Sequence, residues 1–285
     1  MLDFNFYLNQ FSAEKNICNY LRLLSCDIWD RIGFTFGRNT IIRINEITIT
    51  ENVAFYIVRY LEYFNDDSVL IEMATDEQVN GNDLLIYVQL MDGFYYPIAI
   101  QSKKISSDGN YHAFKGEYEQ LKKLKQFSTE NGYIPMYLLY NFIDKHSRTF
   151  SMCGIKFEWN QFGCTLVNLS DVEEVCIKTK KKTGKEYLRL PHFDDFHPAY
   201  AHPFFKLVCC ENVLTGIDNF KKEFRNKLQY EIKSVQLTEL QSSNYWRKLS
   251  LREQHRDMYQ TTSENSRKDF APRFRFIFSN SWLKK

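Results

Sequence analysis

Residues 80–104, NGNDLLIYVQLMDGFYYPIAIQSKK, read as two strands about a turn. Leu84 to Leu90 is an apolar run with strand-like content, Asp92-Gly93 is a turn signal, and Tyr95 to Ile100 is a second apolar run. Antiparallel pairing about that turn lays the start of the first strand beside the end of the second. Asp83 opens the first and Gln101-Ser102-Lys103 closes the second. Residues two apart in a strand share a face, so Gln101 and Lys103 project the same way, towards Asp83. A carboxylate, an amide oxygen and an ammonium on one sheet edge form a candidate site for a divalent cation and a phosphate.

Working outward, Ile17, Leu21, Leu24 and Ile28 recur at helical spacing and Gly33 follows as a stop, which predicts a helix within 4–31, at least from Phe11. Val53, Ile57 and Leu61 predict a second helix over about 47–64, with Glu46 at its start. An acid there also complements the positive end of the helix. Val69 to Met73 reads as a short buried strand. Phe114, Tyr118, Leu121 and Leu124 mark a third helix ending near Asn131-Gly132, and IPMYLLYNF (134–142) is a buried strand. The order helix, strand, strand, strand, helix, strand predicts an α/β fold, a mixed sheet flanked by helices, that closes by about residue 145. Beyond it, CGIKFEWNQFGCTLVNL suggests small strands or a loop insertion. A helix is expected near Phe204–Cys210, another over Asn219–Leu240, and a last strand at Arg273–Phe278.

The composition sets bounds. A chain of 285 residues with 44% apolar and 16% aromatic content has material for a large core. A net charge of +2 neither demands nor forbids nucleic acid; a local basic patch decides that. Seven cysteines without a CxxC pair point to reduced thiols and a cytoplasmic setting. The absence of a long apolar run and of a signal-peptide pattern predicts a chain without membrane attachment.

Glu46, Asp83, Gln101 and Lys103 form the chemical set. Cleaving a phosphodiester requires an in-line water, charge neutralisation on the phosphate and help for the leaving oxygen, most of which Mg²⁺ supplies. Such an ion prefers one or two carboxylates plus other oxygens. Asp83 and Glu46 would be the carboxylates, Gln101 a neutral oxygen, and Lys103 the group that orients water or offsets developing charge. Without metal, Lys103 is expected beside Asp83.

The spacing D-x17-Q-x-K, with an acid on a preceding helix and a helix-strand pair afterwards, resembles the PD-(D/E)XK nuclease superfamily in its Q-x-K, Mrr-like branch. It is closer still to a sparsely characterised bacterial family with E-x-T-I-T, T-G-A-D and Q-A-K motifs, which appear here as NEITIT, NGND and IQSKK. The similarity continues through Tyr111, Gln120 and IPMYLLYNF, with weaker echoes to about residue 210. Asn82 and Ser102 stand where that family has Ala, and neither removes a ligand. The resemblance implies a restriction-endonuclease-like core at 41–145, preceded by a helical segment at 1–40 and followed by a substrate- or partner-binding extension at 146–285. It implies a nuclease dependent on Mg²⁺ or Mn²⁺, with Asp83, Gln101, Lys103 and Glu46 as catalytic residues and Asp83, Gln101 and Glu46 as metal ligands. DNA is favoured over RNA as substrate, in bacterial restriction or anti-phage defence, with a protein partner or homo-oligomer as a further association. The alternative is a catalytically degenerate module that binds nucleic acid or a protein partner in a defence complex. Lys104, Lys115, Lys122 and Gln120 are expected nucleic-acid contacts, with Lys123 and Lys125 on the same helix.

Other polar groups carry blander readings. Glu72 reads first as a surface strand residue, and Asp76 and Glu77 as loop acids. His192, His197 and His202, spaced by five, fit no structural zinc pattern, so with Asp194 and Asp195 they read as a loop packed on the core. Lys178–Lys185 reads equally as a solvated loop or a phosphate grip.

Overall fold

The computed structural model describes residues 16–37, 42–65, 69–74, 83–89, 94–114, 118–144, 150–152, 155–179, 186–209, 233–236, 239, 246–248 and 274–278. Helix α1 (Ile17–Thr35) starts where Asn16 Oδ1 accepts the Cys18 and Asn19 amides, and α2 (Glu46–Phe64) where Asn45 Oδ1 accepts the Thr48 amide at 2.8 Å. Each such cap stabilises a helix by about 1 kcal/mol. The strands β1 (Val69–Ala74), β2 (Asp83–Gln89) and β3 (Phe94–Lys104) follow, then α3 (Tyr118–Asn131) and β4 (Ile134–Tyr140). The expected αβββαβ order is therefore present along the chain, although Phe114 lies in a separate 3₁₀ turn (His112–Phe114) ahead of α3.

Next come β5 (Phe150–Met152), β6 (Ile155–Phe157), β7 (Cys164–Asn168), α4 (Leu169–Cys176), β8 (Ile177–Thr179), β9 (Glu186–Leu188) and α5 (Phe193–Phe196). β10 (His202–Pro203), α6 (Lys206–Cys209), β11 (Val235–Gln236), β12 (Trp246–Lys248) and β13 (Phe274–Phe278) complete the described elements. Val235–Gln236 is strand where the sequence reading expects helix; the rest of 219–240, apart from 233–234 and 239, lies outside the described residues.

The main sheet runs β10-β7-β4-β3-β2-β13-β1-β12, with β11 paired to the start of β3. Pairs β3–β4 and β2–β13 are parallel, and the other pairs are antiparallel. The sheet does not close at 145. β7 extends it beyond β4, and β13, from the far end of the chain, lies between β2 and β1. β1 and β2 are therefore consecutive in sequence but not neighbours in the sheet. Periodicity gives each strand's content and not its neighbour, which explains why the insertion is invisible in the local pattern.

Insertion also decides Glu72. It is a buried residue, 8% exposed, and not a surface position or a member of the site. β1 pairs with β13 so that Glu72 faces Arg275, itself 3% exposed, and the Arg275 Nε–H donates to the Glu72 carboxylate. All five residues of β13 are buried, so its one charged side chain must be neutralised inside the sheet.

On the opposite side, α1 packs across the 159–162 turn. A Cβ on Gly163 would fall 1.9 Å from the Ser25 carbonyl oxygen, so only glycine lets the two backbones approach this closely. Nearby, Tyr111 O–H donates to Asn141 Oδ1 at 2.6 Å, and Asn141 Nδ2 donates to Phe162 O and Thr165 Oγ1. Thr165 Oγ1 donates to His197 Nε2 at 2.9 Å, and His197 Nδ1–H donates to Phe193 O. His197 stacks on Phe193, and burial pushes its pKa down to about 3. Cys26, Cys164 and Cys176 are free and buried, but Cys18 is disulfide-bonded, which corrects the expectation of reduced thiols at that position. Among the described residues no helix is long and apolar enough to cross a membrane.

Two outcomes follow from these buried polar groups. Arg275→Met leaves Glu72 unpaired within the sheet and should lower stability by about 3–5 kcal/mol in urea unfolding, whereas Arg275→Met with Glu72→Leu should recover most of the loss. Between pH 6.5 and about 3 the unfolded chain binds a proton at His197 that the folded chain refuses. That contribution is complete above about pH 6.5 and declines by about 1.4 kcal/mol per unit as pH falls. His197→Asn should flatten that slope in unfolding curves taken at stepped pH.

Candidate active site

The site is organised by the unequal lengths of β2 and β3. In their antiparallel pairing Asp83 stands opposite Gln101, while β3 runs on to Lys104. Paired positions fall on the same sheet face, so positions 83, 101 and 103 share one face, and 102 and 104 lie on the other. Beyond Gln101 the β2 side of β3 has no strand partner among the described residues. The Ile105 amide donates to Tyr140 O on the β4 side, so the amide before it, that of Lys104, points to the vacated edge. Glu46 Oε1 accepts it at 2.9 Å.

Helix α2 is held at this edge by its first turn. Thr50 Oγ1 donates to Glu46 O, four residues back, and lies 2.7 Å from the Tyr140 hydroxyl, which donates to it. Tyr140 stands beside Lys104 in the β3–β4 pairing, so this contact fixes α2 on the Lys104 face. Thr50 and Tyr140 position Glu46 and were not singled out from sequence; the i, i+4 spacing of Glu46 and Thr50 is the signal that carries it.

The Gln101 and Lys103 face is covered by α3. Lys103, 3% exposed, donates from Nζ to Gln120 Oε1 at 3.0 Å, and Gln101 Nε2 donates to the same oxygen at 2.8 Å. The expected pairing of Lys103 with Asp83 cannot be read, because the Asp83 side chain lies outside the described residues. Gln120 thus sits within the site, bonded to both Gln101 and Lys103. Gln101 Oε1 is buried and has no hydrogen-bond partner among the described residues. Leaving a buried acceptor so costs about 1–3 kcal/mol, a penalty that a cation or a donor-bearing ligand would remove.

The expected basic contacts do not form one surface. Lys104 is on the opposite face from Lys103, half-buried, with its ammonium 6.0 Å from the Phe36 ring centre. Burial pushes its pKa below the ordinary lysine range, Glu46 opposes that shift, and Arg43 reinforces it. Lys122 pairs with Glu119 at 3.3 Å and Lys125 with Glu173 at 2.8 Å, both on exposed surface. Exposed pairs of this kind hold by about 0–1 kcal/mol and give way readily to a phosphate. Lys115, Asp76 and Glu77 lie outside the described residues, as does most of the 178–185 run.

The donor set fits a hard divalent cation. Two carboxylates and an amide oxygen are all-oxygen ligands, as Mg²⁺ and Mn²⁺ prefer, and the orphaned Gln101 oxygen is the atom most in need of one. Among the described residues no group of three or more His, Cys, Asp or Glu is gathered for a metal. Among the histidines, His192 caps α5, His197 is buried in the hydrogen-bonded hub, and His202 lies in β10.

Glu46 Oε1 accepts the Lys104 amide, a role that the oxygen of a glutamine amide can also fill. Glu46→Gln should keep a melting curve close to wild type, whereas Glu46→Ala should lose about 1.5–3 kcal/mol by orphaning the Lys104 amide. Thermal and urea unfolding of both variants measures the difference.

Neither a curated protein nor a solved structure matches the chain. A family of unknown function, DUF6615, matches residues 17–280, from α1 through the inserted strand β13. The match spans every element that builds the sheet and the site, and the chain belongs to the DUF6615 family.

Proposed function

We propose that this chain is a metal-dependent nuclease of the PD-(D/E)XK type, acting on DNA in preference to RNA. The observation that carries the reading is the convergence at the end of β3. Position 83 is paired with Gln101, Glu46 is docked on the Lys104 amide, and Lys103 is held beside Gln101 by Gln120. Asp83, Glu46 and Gln101 would hold Mg²⁺ or Mn²⁺. When bound, the ion supplies charge neutralisation on the phosphate and a more acidic water. Lys103 orients the attacking water and offsets charge on the phosphate from a buried position, where its ammonium acts through a low dielectric.

Replacing the usual motif glutamate by Gln101 removes one negative charge from the ligand set. Metal affinity is therefore lower than for three carboxylates, and Gln101→Glu should raise it. A role in bacterial defence belongs to the same proposal, on the resemblance to Mrr-type enzymes.

The test is cleavage of supercoiled plasmid, linear duplex, single-stranded DNA and RNA with Mg²⁺ or Mn²⁺. Wild type should cut at least one substrate, Asp83→Ala and Lys103→Ala should lose 10²-fold or more, of the order removed with a key electrostatic group, and EDTA should abolish cutting. Cutting that survives both substitutions would place the chemistry elsewhere. A wild type that cuts nothing and binds no metal would leave a partner-binding module as the better reading.

A further inference from the structure

We propose that Gln120 is a positioning residue that sets which atom of Gln101 faces away from α3, so that the Gln101 carbonyl oxygen is presented as a cation ligand. This rests on the metal-dependent reading above and adds to it a residue on α3 with no direct contact to metal or substrate.

The argument starts from the lysine. An ammonium has three donors and no acceptor, so the Gln120 atom 3.0 Å from Lys103 Nζ must be its oxygen. That same oxygen lies 2.8 Å from the end of the Gln101 side chain. Two carbonyl oxygens cannot bond one another, so Gln101 must offer its NH₂ there. The Gln101 oxygen is thereby turned away from Gln120, and it is buried without a donor among the described residues. The orientation of one amide is thus fixed by a cation two residues further along the strand, relayed through a side chain on the helix that crosses from β3 to β4. An amide in the motif position has two unlike ends, where a carboxylate has two equivalent oxygens. A Q-x-K site therefore needs an orienting group that an E-x-K site does not.

The experiment uses the full ¹⁵N-labelled chain, with the Gln101 side-chain amide signal assigned by its loss in Gln101→Met. Gln120→Glu keeps an acceptor for both donors, and Gln120→Met removes it at similar size. The Gln101 amide protons should exchange slowly in wild type and in Gln120→Glu, and move to solvent-like shift and exchange in Gln120→Met. Mn²⁺ affinity, read from water-proton relaxation, should fall about 10–100-fold in Gln120→Met and be kept or raised in Gln120→Glu. Lys103→Met leaves Gln120 in place without the donor that fixes it, and the Gln101 signal should then double as both orientations are sampled; this variant decides the matter if Gln120→Met does not fold. Gln101 signals unchanged in these variants, with normal Mn²⁺ binding by wild type, overturn this inference alone. A wild type that binds no Mn²⁺ overturns the metal-dependent reading and the ligand role of Gln101 with it.

Discussion

Strand β3 outruns its partner on one edge, and the site follows from that mismatch. The described part of β2 starts at Asp83 opposite Gln101, and the amide of Lys104 points to an edge where no strand among the described residues supplies an acceptor. A backbone donor in a packed interior needs a partner, and Glu46 provides it. This hydrogen bond joins the Thr50–Tyr140 contact in fastening helix α2 to the sheet, and it brings a carboxylate to the same edge as the start of β2. Stability and proposed chemistry use the same residue.

The two faces of β3 divide the work. On one, Thr50 and Tyr140 anchor α2 beside Lys104, where the hydroxyls are fully used in holding the helix. On the other, α3 closes over Gln101 and Lys103 with a single oxygen from Gln120. Each face keeps one buried side-chain atom without a partner among the described residues, Ser102 Oγ on the first and Gln101 Oε1 on the second, and only the second lies beside the ammonium and the carboxylate position of the candidate site. Native interiors rarely leave such an atom, and where they do a ligand position is a physically reasonable cause.

The C-terminal part of the chain belongs to this sheet. β11 covers the start of β3, β12 flanks β1, and β13 separates β1 from β2 while bringing Arg275 against Glu72. The strand that carries Asp83 is thus braced on its outer side by residues nearly two hundred positions later. A charged residue pair in so dry a place fixes which strands pair and in what register, because any slip would leave both charges without a partner.

Much of this was legible in the sequence. Apolar runs around Asp92-Gly93 gave the hairpin, helical spacing gave α1 and α2, and strand parity put Gln101 and Lys103 on one face, since these are local consequences of backbone geometry. Other features depended on partners distant in sequence. That FRFIF enters the sheet between β2 and β1, that Glu72 is buried rather than exposed, and that the Lys104 amide meets Glu46 and its ammonium Phe36 were decided by tertiary packing. The same holds for Gln120: the resemblance marked it as a polar helix position and a nucleic-acid contact, but only the crossing of α3 over β3 made it the acceptor that Gln101 and Lys103 share. Local periodicity determines what each element is. Which elements meet depends on burying all their faces and satisfying all their charges at once, and that condition exists only in the assembled fold.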